Sequence, residues 1–253
     1  MKRFFKQFIY GVFFLSIWFG IGFLVWQTFL RPVPSCTNNY KDSGEEGIDC
    51  GGSCAPCALQ TLKPLKSGGV EIVYGDGYKS AVFDVINPNL DWGAQSFLYE
   101  VDFLNPDNSL AGTASGESFI YPGEVKKLVN FGIKFETKNI IKTQIKFSDF
   151  SWKNISGFYS PKTSMREVNY DFDESAKKIK ISGILTNNES SNISKSEILA
   201  TVENNLGILS GASQTSLDNI PQFEEREFLI VIPVLNFENI DRSSIKISVS
   251  SKR

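Results

Sequence analysis

Histidine is absent from all 253 residues of this chain. That absence excludes Ser-His-Asp and Cys-His catalysis and any histidine-ligated zinc. Methionine falls to 2 and tryptophan to 4, and no acidic residue precedes Asp42. The charges at the N-terminus are cations, Lys2, Arg3 and Lys6; beyond them stand 23 basic and 28 acidic side chains, a mildly acidic remainder. Such a surface gives no reason to expect nucleic acid as a partner, since that binding rests on Lys and Arg clustered against phosphates. A sustained helical period is also missing beyond residue 31. No catalytic, cofactor-binding or metal-binding constellation emerges. Acid–base chemistry by carboxylates alone would need a pair in one cleft, and here Asp and Glu are scattered among turns.

What the chain does have is one long apolar run. From Phe8 to Leu30 it reads FIYGVFFLSIWFGIGFLVWQTFL without a charge. As a helix rising about 1.5 Å per residue, the run spans roughly 34 Å, enough to cross a hydrocarbon core of about 30 Å. Tyr10 and Trp26 fall near its two ends, where amphipathic rings prefer to sit. A cleaved signal peptide has a shorter apolar core and small residues at its cleavage site, and Gln27-Thr28-Phe29-Leu30-Arg31-Pro32 does not supply them. Val33-Pro34-Ser35-Cys36 stands too far from the core to serve as a lipoprotein processing box. The expectation is a transmembrane anchor over residues 1–31, with the lipid bilayer as partner through residues 8–30. Cations before the span put the N-terminus in the cytoplasm and the C-terminus outside it, at the cell membrane.

All four cysteines, Cys36, Cys50, Cys54 and Cys57, fall within 22 residues. An even number in a polar, Gly-rich stretch just outside a membrane predicts two disulfides, with three pairings open. Gly51-Gly52 permits the sharp turn that close bridging requires. A four-cysteine zinc site fits the spacing poorly. Cys54-Ala-Pro-Cys57 lacks the strand and helix that flank a thioredoxin motif. Asn38, Asp42, Glu45, Glu46 and Asp49 offer oxygens, but in an order that fails the EF-hand template. Cys36, Glu45 or Glu46, Gly47, Asp49, Cys50, Gly51, Gly52, Cys54 and Cys57 together resemble a cysteine motif of exported bacterial and archaeal surface proteins. The resemblance implies a surface location and a stiff stalk over residues 32–63, and no activity.

After a linker with Lys63-Pro64 and Ser67-Gly68-Gly69, short apolar runs alternate with turn residues. Strands are expected at Val70–Tyr74, Tyr78–Ile86, Phe97–Leu104, Val125–Phe135 and Ile140–Phe147, with period-two alternation again around Ile179 and from Ile245 to Val249. Asn87-Pro88-Asn89, Asn105-Pro106-Asp107-Asn108 and Tyr121-Pro122-Gly123 mark turns. The second half echoes the first at a shift close to one hundred. Val85-Ile86-Asn87 answers Leu185-Thr186-Asn187, Leu110-Ala111-Gly112 answers Leu209-Ser210-Gly211, Ile120-Tyr121-Pro122 answers Asn219-Ile220-Pro221, and Ile145-Lys146 answers Ile245-Lys246. The fold class is therefore an all-β ectodomain behind one helix: two tandem Ig-like sandwiches, residues 64–160 and 161–253. The halves resemble FxLYD and late-embryogenesis-abundant type sandwiches of envelope proteins. In the first half Val101 to Leu110 and Pro122-Gly123-Glu124 carry the likeness. In the second Gly183 to Asn188 and Val202 to Gly207 carry it, with Pro221-Gln222-Phe223 in place of Pro-Gly-Glu. That resemblance implies a binding or spacer module with no catalytic residues.

Asn154, Asn188 and Asn192 begin N-x-S sequons, which read here as turn asparagines. Trp92, Trp152 and Tyr159 are expected to fill cores, and Asp171, Asp173 and Glu174 to line a solvated face. The function expected is non-enzymatic: an extracytoplasmic ectodomain that binds or scaffolds an envelope or surface protein or glycan, without a cofactor. The rival is an accessory subunit or assembly factor of an envelope enzyme complex, which fold alone does not separate from it.

Overall fold

The computed structural model describes residues 2–30, 35–75, 78–131, 133, 140, 142–235, 237 and 239–253. Met1 and Arg31 of the expected anchor and 32–34 of the stalk lie outside the described residues. So do Gly132, Lys134 and Phe135 at the end of one expected strand, and Ile141 within another. The chain divides into two compact units, Met1–Leu62 and Lys63–Arg253.

In the first unit, helix α1 (Lys2–Val25) continues as a single π-type turn, Trp26–Leu30. Its apolar side chains point outward all round, with Phe13, Trp18 and Phe29 all exposed. The apolar span Arg3–Phe29 has a mean hydropathy of 2.2, and none of it is buried. A helix apolar on every face needs either a protein core or a lipid one. Its polar groups look inward: Ser16 Oγ donates to the Phe13 carbonyl and Thr28 Oγ1 to that of Leu24, so neither hydroxyl seeks water.

The second unit is antiparallel β throughout. Its first seven strands are β1 (Lys66–Ser67), β2 (Glu71–Gly75), β3 (Tyr78–Ile86), β4 (Trp92–Leu104), β5 (Leu110–Ile120), β6 (Val125–Phe131) and β7 (Lys142–Asn154). They form two sheets, one with β1, β2 and β6 along β3, the other in the order β5-β4-β7. The next six are β8 (Thr163–Asp173), β9 (Lys178–Asn187), β10 (Ile193–Glu203), β11 (Leu209–Ile220), β12 (Glu225–Pro233) and β13 (Lys246–Lys252). These give sheets in the orders β12-β9-β8 and β11-β10-β13. Inward residues alternate along the strands, as in β9, whose Ile179, Ile181 and Leu185 are fully buried. Phe83, Phe97, Val101 and Phe103 anchor one cluster, while Ile181, Ile198, Ile230 and Ile232 anchor a second. A third joins the two halves: Val73, Val82 and Val129 meet Leu199 and Ala212. The outer face of the β3 sheet thus packs on the outer face of the β10 sheet.

The strand pairings of the two halves correspond. Ile86 faces Val125 as Thr186 faces Glu225, a shift of one hundred. Phe103 faces Gly112 as Val202 faces Gly211, a shift of 99, and the same register slip follows in each. Two sequence matches move. Val101 faces Ile145, whereas Ala200 faces Ile247, so Ile145 corresponds to Ile247 and not to Ile245. At the turn before β6, the Glu124 amide bonds back to the Tyr121 carbonyl and the Glu224 amide to that of Pro221. Tyr121-Pro122-Gly123-Glu124 therefore corresponds to Pro221-Gln222-Phe223-Glu224, with buried Ile120 matching buried Ile220. Phe223, at φ 58°, takes the left-handed place that Gly123 fills at φ 66°.

Candidate functional site

The cysteine segment closes on itself. Cys36 pairs with Cys54 and Cys50 with Cys57, one of the three pairings left open by spacing. Each small or acidic neighbour has a structural task. The Asp49 carboxylate accepts the amides of Asn38 and Asn39, both at 2.9 Å. Glu45 Oε2 accepts those of Asp42 and Asp49. Asp42 Oδ2 accepts the amide of Ser35 and the side-chain amide of Asn38. A Cβ on Gly52, at φ 62°, would lie 1.8 Å from the Gly44 carbonyl oxygen, and one on Gly47 would lie 2.8 Å from Cys50 Sγ. Of the two candidates Glu45 and Glu46, Glu45 supplies the internal carboxylate. Cys36, Glu45 and Cys54 bring possible ligand atoms within 4.8 Å of one another, but both sulfurs are consumed in the disulfide. Of the side chains whose oxygens the sequence offered to calcium, Asn38, Asp42, Glu45 and Asp49 accept backbone amides.

In the β unit the polar focus lies on the seam between its halves. Lys126, from β6, is 6% exposed, and its Nζ stands 2.9 Å from Glu197 Oε2 on β10. The ammonium also donates to the Phe119 carbonyl at 3.0 Å and sits 3.4 Å above the Phe119 ring centroid. Lys195 Nζ reaches Glu197 Oε1 at 3.1 Å, and Ser118 Oγ donates to Glu197 Oε2. Burial pushes the Lys126 amine below its ordinary range, opposed by Glu197. For Glu197, burial works upward, but Lys126 and Lys195 together outweigh it and hold the carboxyl below its usual value. The Lys126–Glu197 pair is thus held between an aromatic face and a second cation. Alongside it opens a cleft of about 350 Å³, lined by Asp84, Lys127, Leu199, Thr201, Gln214 and Ser248 among others. Charges on its walls are matched, as in Lys127 with Asp84 at 2.9 Å.

More bonds cross the seam. Tyr121 Oη donates to the Ser251 carbonyl, and burial pushes its phenol well up. Lys252 Nζ donates to the Gln95 carbonyl at 3.3 Å, and Ser250 Oγ to Glu124. Arg253 lies 4.3 Å over the Tyr159 ring and 2.9 Å from Glu189. Tyr159 is therefore a surface platform, 48% exposed, and no core residue. Trp152 packs half-buried against the first cluster and stacks on Phe150. Asp171 and Asp173 both reach Lys180, and Glu174 reaches Arg242. Asn188 donates to Ser164 Oγ, Asn192 accepts the Gln222 amide, and Asn154 accepts that of Ser156. Lys126 and Glu197 carry no motif, and only the hydrophilic break that Lys126-Lys127 makes in an otherwise apolar strand hinted at the site.

No family model matches the chain, and no curated protein matches it. Among solved structures, red sea bream transglutaminase aligns over 76% of this chain and 31% of its own, at 12% identity and a TM-score of 0.23. The chain thus spans under a third of that protein, and a likeness so slight bears on neither fold nor activity.

Proposed function

We propose that this chain is a single-pass membrane protein whose exported part, a cysteine-stapled stalk followed by two tandem β-sandwich repeats, binds or scaffolds another envelope or surface component without catalysing a reaction. The observation that carries this reading is the pairing of an apolar helix, unburied along its whole span, with two disulfides just beyond it, Cys36–Cys54 and Cys50–Cys57. Disulfides persist where the compartment is oxidising, and such a helix is stable in lipid. Cations before the span support a cytoplasmic N-terminus and an extracytoplasmic β unit. The β unit supports a binding or spacing role: its buried charges are paired with one another, and its cleft presents matched walls.

The test is thiol counting on intact cells with a membrane-impermeant maleimide, followed by crosslinking of the full chain to its neighbours. Labelling of Cys36, Cys50, Cys54 and Cys57 only after reduction is the result expected. Labelling only after the membrane is broken would reverse the topology. With the topology intact, crosslinking that yields no protein or glycan above background would leave a passive spacer.

A further inference from the structure

Strand β12 ends its sheet on a regular, apolar edge. Its ladder with β9 runs from Glu225 opposite Thr186 to Pro233 opposite Lys178 with no register slip, unlike the ladders of β7 and β8. Among the described residues, no strand pairs with its other side. The corresponding strand of the first half, β6, is interrupted by Lys126 and Lys127 and is engaged at the seam through Glu197.

The phase of the ladder tells which backbone groups of β12 face outward. The Asn187 amide donates to the Glu224 carbonyl, and the Val234 amide to that of Lys177. Hydrogen-bonded pairs recur at every second residue of an antiparallel ladder, so the even-numbered residues of β12 bond to β9. Glu225, Glu227, Leu229 and Val231 therefore turn their N–H and C=O groups to the free side. Pro233 belongs to the same set, so its missing N–H costs the sheet no bond. Phe228, Ile230 and Ile232 are buried, while Leu229 is 55% exposed on the outer face. An open cleft of about 300 Å³ lies beside Val231 and Pro233, bordered also by Phe131 and Gln214.

The charges on this face select the occupant. Glu225 and Glu227 begin β12, whereas Lys180 and Lys178 of β9 stand opposite Val231 and Pro233 at its end. Glu225 already meets Arg166 and Lys180 meets Asp171, so the contrast rests on Glu227 and Lys178. A strand with this order of charges matches itself when turned through half a circle. We infer that the partner of β12 is a second copy of this chain, paired antiparallel about Leu229, so that β8-β9-β12 continues as β12-β9-β8 across a two-fold axis. In that register Leu229 faces Leu229, Glu227 faces Val231 and Glu225 faces Pro233. Every outward N–H then meets an outward carbonyl, and the acidic end of each strand lies toward the basic end of the other copy's sheet. A slip that set Glu227 on Glu227 would place like charges opposite each other.

Because the native cysteines are all in disulfides, an introduced thiol reports this pairing directly. The Cα atoms of a hydrogen-bonded pair lie about 5.5 Å apart, within reach of a disulfide. The full chain in detergent micelles would carry Leu229→Cys or, as controls at exposed sites, Leu98→Cys on the central strand β4 or Leu206→Cys before β11. Mild oxidation should give a covalent dimer on a non-reducing gel at position 229 and not at 98 or 206. Adding Glu227→Lys to Leu229→Cys should lower that yield severalfold, and Lys178→Glu added to both should restore it. No dimer at position 229, equal yields at the three positions, or a yield indifferent to the exchanged charges overturns the inference.

Discussion

Asn187 is fully buried, and every polar atom of its side chain is used. Nδ2 donates to the carbonyls of Ser191, Ile220 and Pro221, and Oδ1 accepts the Glu189 amide. Asn87 does the same work in the first half, reaching Trp92 and Tyr121. Each amide pins the loop between sheets to the turn that starts the return strand. Asn187→Ala should cost about 3 kcal/mol, because several buried backbone groups lose their partner at once; a denaturant midpoint barely moved from the parent's would refute the pin. Gly52 is a sharper case. Both Gly51 and Gly52 are left-handed, but Gly52→Ala also drives its methyl onto the Gly44 carbonyl oxygen, whereas at Gly51 the nearest atoms belong to the Glu46 side chain. Oxidative refolding of Gly52→Ala should leave free thiols by maleimide labelling, and Gly51→Ala should leave fewer. These residues were visible in the sequence as turn and motif positions. Which disulfides form was not, since spacing is equally consistent with all three pairings.

Among elements, the apolar strands were legible and the polar ones were not. β3 runs over the span that alternation predicts, Tyr78–Ile86. β5 and β8 carry few apolar residues, LAGTASGESFI and TSMREVNYDFD, and their strand identity comes from pairing to β4 and β9. Edge strands blunt themselves locally: left-handed Asp149 in β7 and Glu167 in β8 sit where the register with the neighbour slips, a device that disfavours adding a further strand. The turn before β12 is one of two places where sequence matching slipped, because Phe223 does the work of a glycine and its identity conceals the correspondence. Phe223→Gly should therefore raise stability by about 0.5–1 kcal/mol, measured by denaturant unfolding. A loss of stability would mean that the ring packs usefully within the fold.

Across the whole β unit, the seam decides whether the halves act as one body. Its apolar contacts, Val82 and Val129 on Leu199 and Ala212, were unreadable because these residues alternate as any strand would. The Lys126–Glu197 pair was unreadable because its members lie far apart in the chain and gain meaning only when buried together. Removing Lys126 leaves the buried Glu197 carboxylate with Lys195 as its remaining cation: Lys126→Met should cost about 3 kcal/mol, and adding Glu197→Leu should recover most of it, since a matched apolar pair avoids the desolvation of two ions. Lys195, whose side chain is 35% exposed, can turn to water in that double variant. The sign with pH follows from the depressed Glu197 carboxyl. Such a group stabilises the fold fully above its unfolded value, near 4.5, and loses that contribution as pH falls through its lower folded value. The parent should therefore lose stability on acidification below about pH 4.5, and the double variant should lose less over the same window. Unfolding curves at pH 3 and pH 6 decide it, because equal acid sensitivity in the two proteins would place the acid-labile groups elsewhere and leave the pair a passive filler of the seam.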